Sequence, residues 1–117
     1  MRVDENRTDR SYLYGRLTSI MLAADDNAVW QEEFLHNIEI KPNKVFYSVY
    51  LNKFQPYATK LKETKPKYAD WLLNRADEIL DKFASVDEYM SDEPLDKQSY
   101  FCGWQSQDIE THRQRKQ

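Results

Sequence analysis

Turn material is scarce in this chain: 117 residues contain only two glycines, Gly15 and Gly103, and four prolines. A β-sandwich or barrel reverses direction roughly every 8–12 residues through Gly- and Pro-rich clusters, and this sequence has too few of either to do so. An all-α fold is therefore predicted. The 8 Tyr, 5 Phe and 3 Trp supply apolar surface for a core despite 32% charged residues, and the length suits one domain spanning 1–117, with 1–8 and 112–117 left open as flexible termini. The single Cys102 makes no intrachain disulfide, and no basic-then-apolar leader opens the sequence, so a cytoplasmic location is expected. The longest unbroken apolar run, Ile20 to Ala24, falls far short of the roughly 20 residues that cross a bilayer, so no membrane partner is expected.

Periodicity divides the chain. From Asp9, a plausible N-cap, Tyr12 or Leu13, Leu17, Ile20, Met21 and Ala24 recur at spacings of three and four and define one helical face. Asp25-Asp26-Asn27 breaks the pattern, and Val29, Trp30, Phe34, Leu35 and Ile38 read as a short extra helix or a structured loop. Asn43 can cap a helix through Val45, Phe46, Val49, Tyr50, Phe54, Tyr57 and Leu61. Pro56 should interrupt it near Asn52 to Pro56, because a proline removes one backbone hydrogen bond and clashes with the carbonyl four residues earlier. Pro66 suits a first helical turn, and Tyr68, Leu72, Ala76, Ile79, Leu80 and Phe83 follow as the cleanest amphipathic pattern. Residues 85–93 read as a connection, and Pro94 opens a last helix through Phe101, Cys102, Gln105 and Ile109. The expectation is a bundle of about four principal helices.

No arrangement suited to catalysis emerges. The glycines stand alone within helical patterns, so there is no phosphate loop. His36 and His112 lie in different elements without a zinc-ligand spacing, and Cys102 within an aromatic helical run reads as a buried thiol. Carboxylate pairs such as Glu32-Glu33, Asp77-Glu78 and Asp92-Glu93 diverge by about 100° on a helix and do not share a proton. A non-catalytic protein without metal or cofactor is expected.

Charge is segregated along the sequence. Residues 1–40 carry four basic and eight acidic groups, residues 41–67 seven lysines against Glu63 alone, and residues 68–96 only Arg75 and Lys82 against nine carboxylates. A basic stretch between acidic ones can steer a polyanion to one face. Lysines interleaved with Phe46, Tyr47, Tyr50, Phe54 and Tyr57 suit a nucleic-acid strand, although the core pattern claims most of these aromatics. Lys41, Lys44, Lys53 and Lys60 have no such competing duty. Arg16, one step from the apolar stripe of the first helix, leaves both a carboxylate pairing across the bundle and a phosphate contact open.

Four separated pieces carry a family resemblance. The string Arg10-Ser-Tyr-Leu-Tyr-Gly-Arg-Leu17 resembles the "Ala-Tyr-Leu-Leu-Gly-Arg-Leu" opening of the C-terminal region of the type I-C CRISPR large subunit, the Csd family. Lys41-Pro-Asn-Lys-Val-Phe46 resembles its Pro-x-x-Val-Phe helix start, and Lys60 to Phe83 is similar to its Lys-rich link and following helix. Tyr100-Phe-Cys-Gly-Trp-Gln-Ser-Gln107 is similar to its "Leu-Gly-Tyr-Tyr-His-Gln" segment, with Trp104, Gln105 and Ser106 in place of Tyr-Tyr-His. By position, Arg16 matches the Gly-Arg-Leu arginine and Gln107 the final glutamine; Pro56 falls where the family helix is uninterrupted. The resemblance implies a helical small subunit of the Cascade surveillance complex, without nuclease activity and present in more than one copy. It further implies contacts with the backbone and large subunits, the crRNA-containing complex and the displaced non-target DNA strand. Such a role needs phosphate contacts rather than sequence readout. Arg16, Lys41, Lys44, Lys53 and Lys60 are the main candidates, with Lys62, Lys65 and Lys67 as a second group. A protein-binding scaffold, and a regulator whose acidic 68–96 surface imitates nucleic acid, are the rival readings.

Overall fold

A computed structural model of the chain describes residues 2–24, 48, 50–85 and 93–116. These form four α-helices without a strand: α1 (Arg10–Ala23), α2 (Gln55–Leu61), α3 (Pro66–Ala84) and α4 (Lys97–Arg115). The expected all-α bundle is what the sequence forms. The short extra helix expected around Val29 to Ile38 lies outside the described residues, as do the predicted cap Asn43 and most of the 85–93 connection.

The amphipathic pattern of α3 survives folding intact. Ala69, Leu72, Ala76, Ile79 and Phe83, at alternating spacings of three and four, are its buried residues, while Asp70, Asp77, Glu78 and Asp81 are exposed. Pro66 occupies the first turn as predicted.

Pro56 interrupts the preceding helix in a specific form. Tyr50–Phe54 is a π-helical turn that runs directly into α2, with Pro56 in the first turn of α2. The wider π turn accommodates a ring that an unbroken α-helix would press against the carbonyl of Asn52. Phe54 is thereby buried in the core, and the Tyr50 hydroxyl donates to Asp77 Oδ1 on α3 at 2.8 Å. Partial burial, with that bond to a carboxylate, pushes the Tyr50 phenol up to about 12.

Helix α1 departs from the single-stripe expectation. Every residue from Ser11 to Met21 is buried, including Arg16, Thr18 and Ser19. A helix enclosed on all sides must satisfy its polar groups internally. Thr18 Oγ1 donates to the Tyr14 carbonyl at 2.7 Å and accepts from the Tyr100 hydroxyl at 3.1 Å; Ser11 Oγ accepts from the backbone amide of Asp96 at 2.8 Å. Asp9 and Asp96 are the N-caps of α1 and α4, but neither caps through its side chain. Arg7 takes the Asp9 carboxylate with two hydrogen bonds of 3.0 and 2.9 Å, and Ser99 Oγ donates to Asp96 at 2.8 Å. The last helix starts at Lys97, three residues beyond Pro94.

The most extensive packing joins α1 to α4, the two helices farthest apart in sequence. Both glycines sit at this crossing. A Cβ on Gly15 would overlap the Tyr100 carbonyl oxygen and come within 2.8 Å of the Trp104 amide nitrogen; one on Gly103 would overlap the Tyr12 carbonyl oxygen. The glycines are thus reciprocal, each admitting the other helix's backbone. Leu13, Leu17, Ile20 and Met21 then meet Phe54, Ala58, Leu72, Ala76, Ile79 and Tyr100 in one core, with Tyr14 edge-on to Phe83 at 4.4 Å between ring centroids.

Candidate nucleic-acid interface and the buried arginine network

Five of the candidate lysines fall within the described residues, and all five are exposed: Lys53 on the π turn, Lys60 in the last turn of α2, Lys62 and Lys65 in the link, and Lys67 in the first turn of α3. Lys41 and Lys44 lie outside those residues. The link is a tight reversal: the amides of Lys62, Glu63 and Thr64 bond to the carbonyls of Thr59, Lys60 and Leu61, and the Lys65 amide returns to Leu61 at 2.8 Å. Lys60, Lys62, Lys65 and Lys67 are therefore gathered at one end of the bundle. The first turn of α3 has no acidic residue, so its N-terminal dipole adds to the positive potential. Lys62 lies 3.3 Å from Asp70, with both side chains about half exposed, a pairing of little energetic weight.

Arg16 does not join this surface. It is fully buried, which corrects the expectation that it faces phosphate; its burial follows from the close α1–α4 approach. Nε donates to Gln107 Oε1 at 3.0 Å across 91 residues of sequence, and Nη2 lies 3.8 Å from Glu5 Oε1. The two positions carried by the first and last resembling motifs thus touch each other. Burial and the nearby charge of Arg75 lower the Arg16 pKa, opposed by Glu5 and Glu110.

Around this pair lies a polar network that sequence reasoning missed. Arg75 Nε and Nη2 grip the Glu110 carboxylate at 2.7 and 3.0 Å, Nη1 donates to Glu78 at 2.7 Å, and Nη2 also reaches Glu5. Gln107 Nε2 donates to Glu110 at 2.9 Å, closing the link to Arg16. Burial alone would lower the Arg75 pKa, but bonds to three carboxylates raise it. A usable signal was present: Arg75 is the only arginine in the strongly acidic 68–96 stretch.

Glu5 fastens the N-terminal segment to this network. Its carboxylate meets Arg75 and Lys82, and its backbone carbonyl accepts from Lys82 Nζ at 3.1 Å. Nearby, the Asp4 amide donates to the Tyr12 hydroxyl at 2.9 Å and Arg7 reaches Ser99 at 3.2 Å. Partial burial would raise the Glu5 pKa, but the Arg75 and Lys82 bonds and the Arg16 charge outweigh it and hold the carboxyl at about 2. A depressed carboxyl contributes stability above its unfolded pKa and loses it as pH falls towards the folded value. Stability is thus expected to fall between pH 4.5 and about 2. Urea midpoints across that window should show a smaller decline for Glu5→Gln than for the native chain.

Elsewhere, Cys102 is half-buried, and no group of three His, Cys, Asp or Glu residues among the described positions could hold a metal ion. No described helix is long and apolar enough to cross a membrane.

The molecule is thus an α-helical bundle with a lysine-rich corner and a charged network at its central crossing. A family model described as CRISPR-associated protein (Cas_Csd1) matches residues 1–111, and the chain belongs to that family. A search of curated proteins returned no significant match.

Proposed function

We propose that the chain is a non-catalytic, cytoplasmic small subunit of a type I-C CRISPR RNA-guided surveillance complex. It binds the backbone and large subunits, takes its place beside further copies of itself, and steadies the displaced non-target strand of the R-loop. The observation that carries this reading is the exposed cluster Lys60, Lys62, Lys65 and Lys67 around one tight turn, with Lys53 on the neighbouring π turn. A displaced strand of any sequence requires phosphate contacts, and lysines supply them by releasing counterions. Family membership supplies the CRISPR setting.

The test is strand affinity over a salt titration, in the assembled complex. Reversing Lys53, Lys60, Lys65 and Lys67 to glutamate should weaken single-strand binding and flatten the log–log salt dependence by about 0.7 for each phosphate that is no longer neutralised. Unchanged affinity and slope would overturn the strand-holding role. The 56% and 51% exposure of Leu51 and Phe101 favours the second reading, a protein-binding scaffold. On that reading, Leu51→Ser or Phe101→Ser blocks assembly while lysine reversal has no effect.

A further inference from the structure

A cleft of about 260 Å³ opens between α1, α3 and the 104–115 stretch of α4, and the lysine corner does not account for it. Two of its walls are aromatic: Tyr68 from the first turn of α3 and Trp104 from α4, both half-buried. Phe101 stacks on Trp104 with centroids 6.2 Å apart and planes 17° from parallel, and at 51% exposure it extends the aromatic surface towards solvent. Ser19 of α1 also lines the cleft. It is only 2% exposed, yet its Oγ makes no hydrogen bond among the described residues. A mid-helix serine ordinarily bonds back to the carbonyl one turn earlier, as Thr18 does. Ser19, a residue of the cleft wall, instead keeps an unsatisfied hydroxyl buried behind it, a group that calls for a partner. Asp108, Thr111, His112 and Arg115 complete the lining from α4, the first an acceptor and the last a cation.

This combination suits a flat, polar-edged ring attached to an anion. The volume falls below the roughly 300–1,000 Å³ of clefts that enclose drug-sized ligands, so it takes one ring system rather than several. Aromatic faces bind any base by stacking, hydroxyl and carboxylate groups bond to its edge, and an arginine meets its phosphate. We propose that the cleft receives one unpaired nucleobase of a bound single strand, between Tyr68 and Trp104, with its edge towards Ser19 and Asp108 and its phosphate on Arg115. Lys67 directly precedes Tyr68, so the lysine corner adjoins the cleft and one strand can engage both. The inference rests on the strand-holding reading above and adds a base contact to its phosphate contacts.

Binding of oligothymidylate and of an abasic strand of equal length to the assembled complex separates the two. The strands carry the same phosphates, so they share a salt slope and differ only in bases. Trp104→Ala should weaken oligothymidylate binding roughly 5- to 100-fold, the effect of losing one stack. It should leave the abasic strand and the salt slope unchanged, and Trp104→Phe should restore most of the loss. Equal binding of oligothymidylate by the native complex and Trp104→Ala would overturn the base site while the lysine role stands; absence of strand binding would overturn both. Should Trp104→Ala fail to fold, photo-crosslinking of a 5-iodouracil strand to the native complex decides. Adducts on the peptides holding Tyr68 or Trp104 support the site, and adducts confined to residues 53–67 overturn it.

Discussion

Gly15→Ala is expected to lower the thermal midpoint by at least about 10 °C, even though alanine is the better helix former by about 1 kcal/mol. The new methyl group would overlap the Tyr100 carbonyl and crowd the Trp104 amide. Both are backbone atoms of α4, so no side chain can rotate away, and the whole helix must retreat. Overpacking costs about 1–3 kcal/mol when side chains can adjust, and a rigid obstacle puts the cost at or beyond the upper end. Withdrawal of α4 also loosens the Thr18–Tyr100 and Arg16–Gln107 bonds. Gly103→Ala meets the Tyr12 backbone in the same way and should match it. Circular dichroism melts of both variants provide the check; a midpoint equal to or above that of the native chain would show that the helices do not approach this closely.

Arg75→Ala is the second large effect, at about 1–3 kcal/mol near neutral pH. This is less than the loss of one partner from a fully buried charge pair, because Glu5, Glu78 and Glu110 keep side-chain exposures of 50, 60 and 30%. The guanidinium is 11% exposed and holds Glu5, Glu78 and Glu110 together. Without it three carboxylates lose their shared partner, and Glu5 keeps only Lys82 and the more distant Arg16. Arg75→Lys should recover part of the loss, since a lysine restores the charge but not the fork that grips Glu110. The acid dependence identifies the mechanism. Native Glu5 contributes stability that disappears between pH 4.5 and about 2, so the gap between native and Arg75→Ala stabilities should narrow across that window. A gap that stays constant with pH would point to lost packing alone.

Legibility in the sequence followed how local the deciding interactions were. Helix α3 was readable except at Arg75, because its apolar residues and carboxylates alternate at helical spacing and each side meets the environment that it suits, whereas Arg75 turns inward to partners on other elements. The break at Pro56 was readable from covalent chemistry, although its form as a π turn was not. The central position of α1 was hidden: its polar residues look solvent-facing until Tyr100, Asp96 and Gln107, more than 80 residues away, supply their partners. The exposure of Lys53, Lys60, Lys62, Lys65 and Lys67 was legible because no apolar pattern competes for those positions. Arg16 was misplaced for the opposite reason. A charge one step from an apolar stripe can turn outward or inward, and only the amide of Gln107 and the acid of Glu5 decide it.

The pairing of the first helix with the last also sets a timetable for synthesis. Helices α2 and α3, joined by a tight turn, can pair as soon as both leave the ribosome, since their contacts are short in sequence. Helix α1 precedes them, and α3 covers only part of it, through contacts such as Tyr14 on Phe83; its enclosure is completed only when residues 97–115 emerge. Until then the α4-facing side of α1 stays open, apolar surface of the kind that chaperones bind in incompletely folded chains. A product that lacks α4 therefore leaves the Gly15 face of α1 without the backbone that it is shaped to receive.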